Sequence, residues 1–218
     1  MSETIGVGNA AVFWRRLCSR LKQFFTHAVK TGLIASNPFD ELRTASVENT
    51  DRMVYVDASE VCKLIDSTDN TDLNMTLLLT RFAGLRRHEC SLLKWQDFDW
   101  RKRQITIRSN KTPAKRVAPI FTGELREGLL EVKQQKGKMV RWEAESQGSV
   151  SCLKKHCTKI GFDLWDKPFQ NLRASLLTDL LETHPIKDVC TWLGNSEQVA
   201  MKHYAMARNE NMRLAAGL

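Results

Sequence analysis

The 218 residues predict a mainly α-helical protein carrying one small antiparallel three-stranded sheet, an α+β class. Two patterns predict it. Apolar residues recur at helical spacing on both sides of the chain's middle. Between residues 97 and 120 that period gives way to short alternating runs separated by turn residues, the mark of strands. A hydrophobic fraction of 42% is enough to build a core around both.

The first predicted element is a helix over Val12–Gly32, with Phe13, Leu17, Leu21, Phe24, Phe25 and Ala28 on its apolar face. Gly32 stops it, and Asn37-Pro38 marks a turn. One helix cannot bury its own apolar face, so this one needs a partner. Residues 43 to 52 are polar and read as a linker. The chain is therefore expected to divide into residues 1–50 and a compact domain over 51–218.

In that domain, Asp57 and Glu60 form a capping-box pattern before Val61, Leu64 and Ile65. Thr71 to Phe82 reads as a buried helix. Gly84 breaks it, and a second helix is expected through Leu92 and Leu93. The strand region holds Asp97 to Trp100, Gln104 to Ile107, the turn Lys111-Thr112-Pro113, and Arg116 to Ile120. Helices return at Glu124–Gln135 and Val150–Ile160, with a polar loop between them. Leu172, Leu176, Leu177, Leu180 and Leu181 line another helix. Pro185 sits where a first helical turn tolerates proline, and Gly194 ends the apolar face of Ile186, Val189, Cys190 and Leu193. Ser196 can cap a last helix bearing Tyr204.

The formal net charge is +8, with a pI near 9.3. Such a surplus suits a polyanion, because neutralising phosphates releases condensed counterions. The six cysteines are scattered, which points to a reducing, cytoplasmic setting rather than a disulfide framework. Cys152, His156 and Cys157 lie close in sequence, but no second ligand pair with zinc-like spacing follows, and Cys157 falls on a helical apolar face. Neither a signal peptide nor a membrane-spanning run is visible, so no membrane partner is expected.

Four residues can serve phosphodiester chemistry together: Arg86, Lys111, Arg173 and Tyr204. Two guanidiniums can clamp phosphate oxygens. A lysine can donate a proton to a leaving alkoxide, and a tyrosine oxygen can attack phosphorus. Each also has a plain reading, as a helix-end charge, a solvated turn residue, a surface ion pair and a half-buried aromatic ring. Spacing alone does not group them.

Longer motifs do. Gly84-Leu85-Arg86-Arg87-His88-Glu89, followed by Leu93-Lys94-Trp95-Gln96-Asp97-Phe98-Asp99, resembles the first arginine box of the tyrosine recombinases, the phage-integrase family. Lys111 to Ile120 resembles the family's strand-turn-strand with its lysine. Gln170-Asn171-Leu172-Arg173 resembles the H-x-L-R box, and Leu193-Gly194-Asn195-Ser196 through Tyr204 resembles the last box. The resemblance covers roughly residues 50 to 210. It extends weakly to Phe25–Pro38, which is similar to the final helix of the family's N-terminal DNA-clamping domain. The chain is thus expected to be a piece of a longer protein, with 1–50 a remnant of that domain and 51–218 the catalytic domain.

The resemblance implies a recombinase catalytic-domain fold and a double-stranded DNA substrate. It implies Tyr204 as nucleophile in a 3′-phosphotyrosyl intermediate, Arg86 and Arg173 around the phosphate, and Lys111 as proton donor. It implies no metal and no cofactor, and a homotetramer on DNA, with a shortened chain able to be monomeric in solution. Two positions depart from the family pattern: Gln170 and Asn195 stand where the family carries histidine, or histidine or tryptophan. Their amides can donate hydrogen bonds but cannot act as general bases, so slow cleavage is expected. His203 and His88 are poor substitutes: the first points about 100° from its neighbour on a helix, and the second reads as a packing or backbone-contact residue. Candidate phosphate contacts are Arg87, Arg101, Lys102, Arg103, Lys115 and Arg116. The alternatives are a DNA-binding relative that no longer cuts, a type IB topoisomerase that nicks and swivels, and a basic helical domain of other purpose.

Overall fold

The computed structural model describes residues 4–42, 53–108, 115–121, 123–131, 137–143 and 147–204. The chain divides into two compact units, Met1–Thr50 and Asp51–Leu218. In the first, α1 (Thr4–Lys30) begins earlier than the apolar stripe suggested. Gly32, at φ +72°, ends it, and the Leu33 amide returns to the Ala28 carbonyl. Asn37 folds the following turn back by donating to the Lys22 carbonyl and the Thr26 hydroxyl.

The second unit contains α2 (Ala58–Asp66), α3 (Thr71–Phe82), α4 (Arg87–Cys90), β1 (Phe98–Asp99), β2 (Gln104–Arg108) and β3 (Lys115–Pro119). It continues with α5 (Gly123–Glu131), α6 (Gly148–Ile160), α7 (Pro168–Leu181), α8 (Ile186–Leu193) and α9 (Glu197–Tyr204). Asp57 caps α2 through the Ser59 amide, and Asn70 caps α3 through the Leu73 amide. Helices α3 and α7 pack on each other; α2, α5 and α6 pack on α3, and α8 and α9 pack on α7. Both are buried almost all round, which is why neither shows a clean amphipathic stripe. Arg81 on α3 is itself buried. It pairs with Asp179 of α7 at 2.7 Å and donates to the Val56 carbonyl, so the chain's entry into this unit is tied to its two central helices.

The sheet runs β1-β2-β3, antiparallel throughout, with Ile105 opposite Ala118 and Ile107 opposite Arg116. Ile105, Ile107 and Ala118 face the core. Pro119 closes β3 on the sheet's edge, where a missing amide is tolerated.

One element differs from expectation. The helix predicted through Leu93 ends at Cys90, because the chain then turns to pair with residues 137–139. The Met139 amide donates to the Leu93 carbonyl, and the Trp95 amide donates to the Gly137 carbonyl. Among the described residues no helix is long and apolar enough to cross a membrane.

Candidate functional site

Three arginines from three separate elements meet at the C-terminal end of α8. A helix end leaves its last carbonyls without partners and carries partial negative charge. Here those carbonyls are taken in succession. Trp192 accepts from Arg116 Nε at 3.0 Å, Leu193 accepts from Arg173, and Gly194 accepts from Arg86 at 2.7 Å. Gly194 is left-handed, at φ +64°, which closes the helix and opens these oxygens outward.

Arg86 precedes α4 and is partly exposed. The turn before it needs Gly84 at φ +63°. A Cβ there would collide with the Leu193 side chain and come within 3.0 Å of Leu176. The Gly84 carbonyl accepts from Arg173, so the same turn seats both arginines. Arg173 lies on α7 and is buried. Burial, with the repulsion of Arg86 second, draws its guanidinium down to about 9, still cationic at neutral pH.

Glu89 is the hub of the cluster, with a side chain wholly out of solvent. Arg116 forks onto both its oxygens at 2.6 and 2.7 Å. The Arg86 guanidinium reaches it at 3.1 Å and the Arg86 amide at 2.7 Å, while Arg173 stands 3.8 Å away. Burial alone would push this carboxyl up. The bonds and charge of Arg116, the Arg86 amide and the charge of Arg173 outweigh it and bring it down to about 2. Three guanidiniums thus surround one carboxylate, which leaves the cluster cationic.

Asn195 joins the two outer arginines. Its Oδ1 accepts from Arg173 at 2.7 Å and from Arg86 at 3.3 Å. The sequence suggested a donor at this position; the oxygen is instead engaged as an acceptor. Arg86, Arg173, Asn195 and Gln170 line one cavity of about 1100 Å³, and Phe162 and Trp165 are also in its lining. Gln170 is exposed in the first turn of α7. Tyr204 ends α9, a helix packed on α7 and α8, and the placement of its side chain lies outside the described set. Lys111 also lies outside the described residues, between β2 and β3.

The remaining basic candidates separate in space. Arg101, Lys102 and Arg103 are exposed on the β1–β2 turn, where Asp99 accepts from the Arg101 and Lys102 amides. Lys115 is exposed at the start of β3, and Arg87 borders the cavity. Arg116 departs from its expected place. Expected as a phosphate contact, it is turned inward, because Glu89 and the end of α8 take up its donors. Sequence reasoning passed over Glu89 except as an anchor of the first box. The available signal was an acidic residue three positions after Arg86, at the spacing of a reciprocal cap.

A sequence profile of the phage integrase family matches residues 52–211. No curated protein matches in sequence. Among solved structures, a lambda integrase dimer bound to a COC′ core site superposes with a TM-score of 0.66 at 20% identity, over 88% of this chain and 59% of that one. The XerA recombinase gives 0.59 at 18% identity, over 89% and 72%. The catalytic domain of bacteriophage HP1 integrase gives 0.54 at 15% identity, over 75% and 94%. This chain therefore spans about three fifths of the lambda integrase chain and nearly all of the HP1 domain. At such identities the structures speak for the fold, and the profile, running through most of the second unit, speaks for descent: the chain belongs to the phage integrase family, the tyrosine recombinases.

Proposed function

We propose that this protein is a site-specific recombinase that cuts and rejoins double-stranded DNA through a covalent link to Tyr204. The observation that supports this most is the convergence of Arg86 and Arg173 on one side of an open cavity, both held by backbone carbonyls and by Asn195. Fixed cations of this kind stabilise charge that develops on phosphoryl oxygens, and being held in advance they need no reorganisation during the reaction.

In this reading a scissile phosphate sits against the two guanidiniums. The Tyr204 hydroxyl gives up its proton to solvent and its oxygen attacks phosphorus, the bond to the 5′-oxygen breaks, and Lys111 gives that oxygen a proton. The product is a 3′-phosphotyrosyl bond and a free 5′-hydroxyl, and a 5′-hydroxyl from a partner strand reverses the step. The arginines supply the positive charge that a metal supplies elsewhere. Gln170 offers an amide donor and no basic nitrogen, so the proton transfers a histidine would assist are weakened and cleavage is slow. The exposed Arg101, Lys102, Arg103 and Lys115, with Arg87 at the cavity rim, hold the DNA backbone. Residues 51–218 are the catalytic domain, and 1–50 the last part of a DNA-clamping domain. The working assembly is a homotetramer on DNA in the cytoplasm.

A nicked suicide duplex drawn from DNA flanking the gene tests the reading, since loss of the short fragment lets even slow cleavage accumulate. A protein–DNA adduct that resists denaturation and is absent in Tyr204→Phe is the expected result. Tight binding of the same DNA without any adduct would favour a relative that binds and does not cut.

A further inference from the structure

Arg116 is the guanidinium of the cluster that this mechanism leaves unused, and it is the one most fully committed within the protein. Both its terminal nitrogens bond Glu89, and its Nε bonds the Trp192 carbonyl. Its side chain is only 14% exposed. It lies on β3, opposite Ile107 of β2, in the hairpin that carries Lys111. Its chain also packs over Gly194, where an added Cβ would meet Arg116 Cδ at 3.0 Å.

A buried carboxylate needs compensation, and it takes the nearest cations. Without Arg116, those are Arg86 at 3.1 Å and Arg173 at 3.8 Å. Glu89 would then draw both toward itself and cancel part of their charge. With Arg116 in place, the strongest geometry at Glu89, a two-pronged pair, is already filled.

We infer that Arg116 is a positioning residue: by occupying Glu89 it leaves Arg86 and Arg173 charge and donors for an anion in the cavity, and it moors the hairpin bearing Lys111 to the end of α8. It does not itself touch DNA. This rests on the recombinase reading for the identity of the anion, and on the cluster's geometry for everything else.

A double-mutant cycle between Arg116 and Glu89 tests it, because removing the carboxylate should remove the need for its counter-cation. The variants are Arg116→Met, Arg116→Lys, Glu89→Gln and the pair Glu89→Gln/Arg116→Met. Two readouts apply to each: the rate of adduct formation at saturating suicide duplex, with the duplex affinity measured beside it, and the thermal stabilisation produced by inorganic phosphate. Arg116→Met should slow the adduct by about tenfold or more while changing duplex affinity by less than about threefold. Adding Glu89→Gln should restore the rate to that of Glu89→Gln alone, and Arg116→Lys should fall between wild type and Arg116→Met. Stabilisation by phosphate should follow the same ranking. If Arg116→Met fails to fold, the lysine variant and the pair still carry the comparison, since neither leaves the carboxylate without a cation.

Loss of duplex affinity that Glu89→Gln does not restore would overturn the inference and return Arg116 to direct phosphate contact. Equal rates and equal phosphate stabilisation in all variants would overturn it as well. A wild-type protein that forms no adduct, yet shows the predicted ranking with phosphate, would refute the recombinase reading and leave this one standing.

Discussion

At Glu89 a single carboxylate decides how three arginines are shared, and its ionisation should show in the protein's acid stability. Its folded carboxyl lies at about 2, below the ordinary 4.5. A depressed carboxyl contributes stability that is fully present above its unfolded value and is lost as pH falls through the folded one. Glu89 should therefore contribute on the order of 3 kcal/mol above pH 4.5, declining progressively between about 4.5 and 2. Unfolding free energies of wild type and Glu89→Gln, measured across that window, should converge at its acid end; parallel curves would contradict the assignment. The two amide positions should behave differently from each other. Gln170 is exposed on the cavity wall and bonds neither arginine, so Gln170→His should raise the cleavage rate by about 10²-fold, the low end of what a positioned acid or base contributes. Single-turnover rates read this directly, and an unchanged rate would mean that proton transfer at this place does not limit the reaction. Asn195 is committed to both guanidiniums, so its replacement disturbs the cluster rather than merely exchanging a donor.

At the scale of elements, the site depends on how two left-handed glycines end what precedes them. Gly84→Ala combines an unfavourable positive φ with a collision against Leu193, and should destabilise the fold by more than about 1 kcal/mol, visible as a lower denaturation midpoint. Little change would mean that the turn is adaptable. Both glycines were legible in the sequence as breaks, as were most helices and the strand region, because apolar period and turn residues are local signals. Ser196 was legible for the same reason, and its hydroxyl accepts from the Val199 amide as a cap should. The short α4 was not, since its early end depends on pairing with residues more than forty positions away. The grip of the α8 carbonyls on three arginines was not legible either. Sequence places Arg86 and Arg173 in motifs, but that Arg116 turns inward is decided by where β3 meets α8 in space.

For the whole molecule, a basic chain of the phage integrase family presents a cationic cluster beside an open cavity, and α9, the helix that ends at Tyr204, packs on α7, which carries Arg173, and on α8, which Asn195 follows. In the proposed reaction these parts act on one phosphate, with the Tyr204 oxygen as the attacking atom. The most direct measurement is mass spectrometry of the protein–DNA adduct after digestion with protease and nuclease. The expected product is a nucleotide joined by its 3′-phosphate to the peptide containing Tyr204, with the modification on that residue. A nucleotide on another side chain, or a joint through a 5′-phosphate, would contradict it.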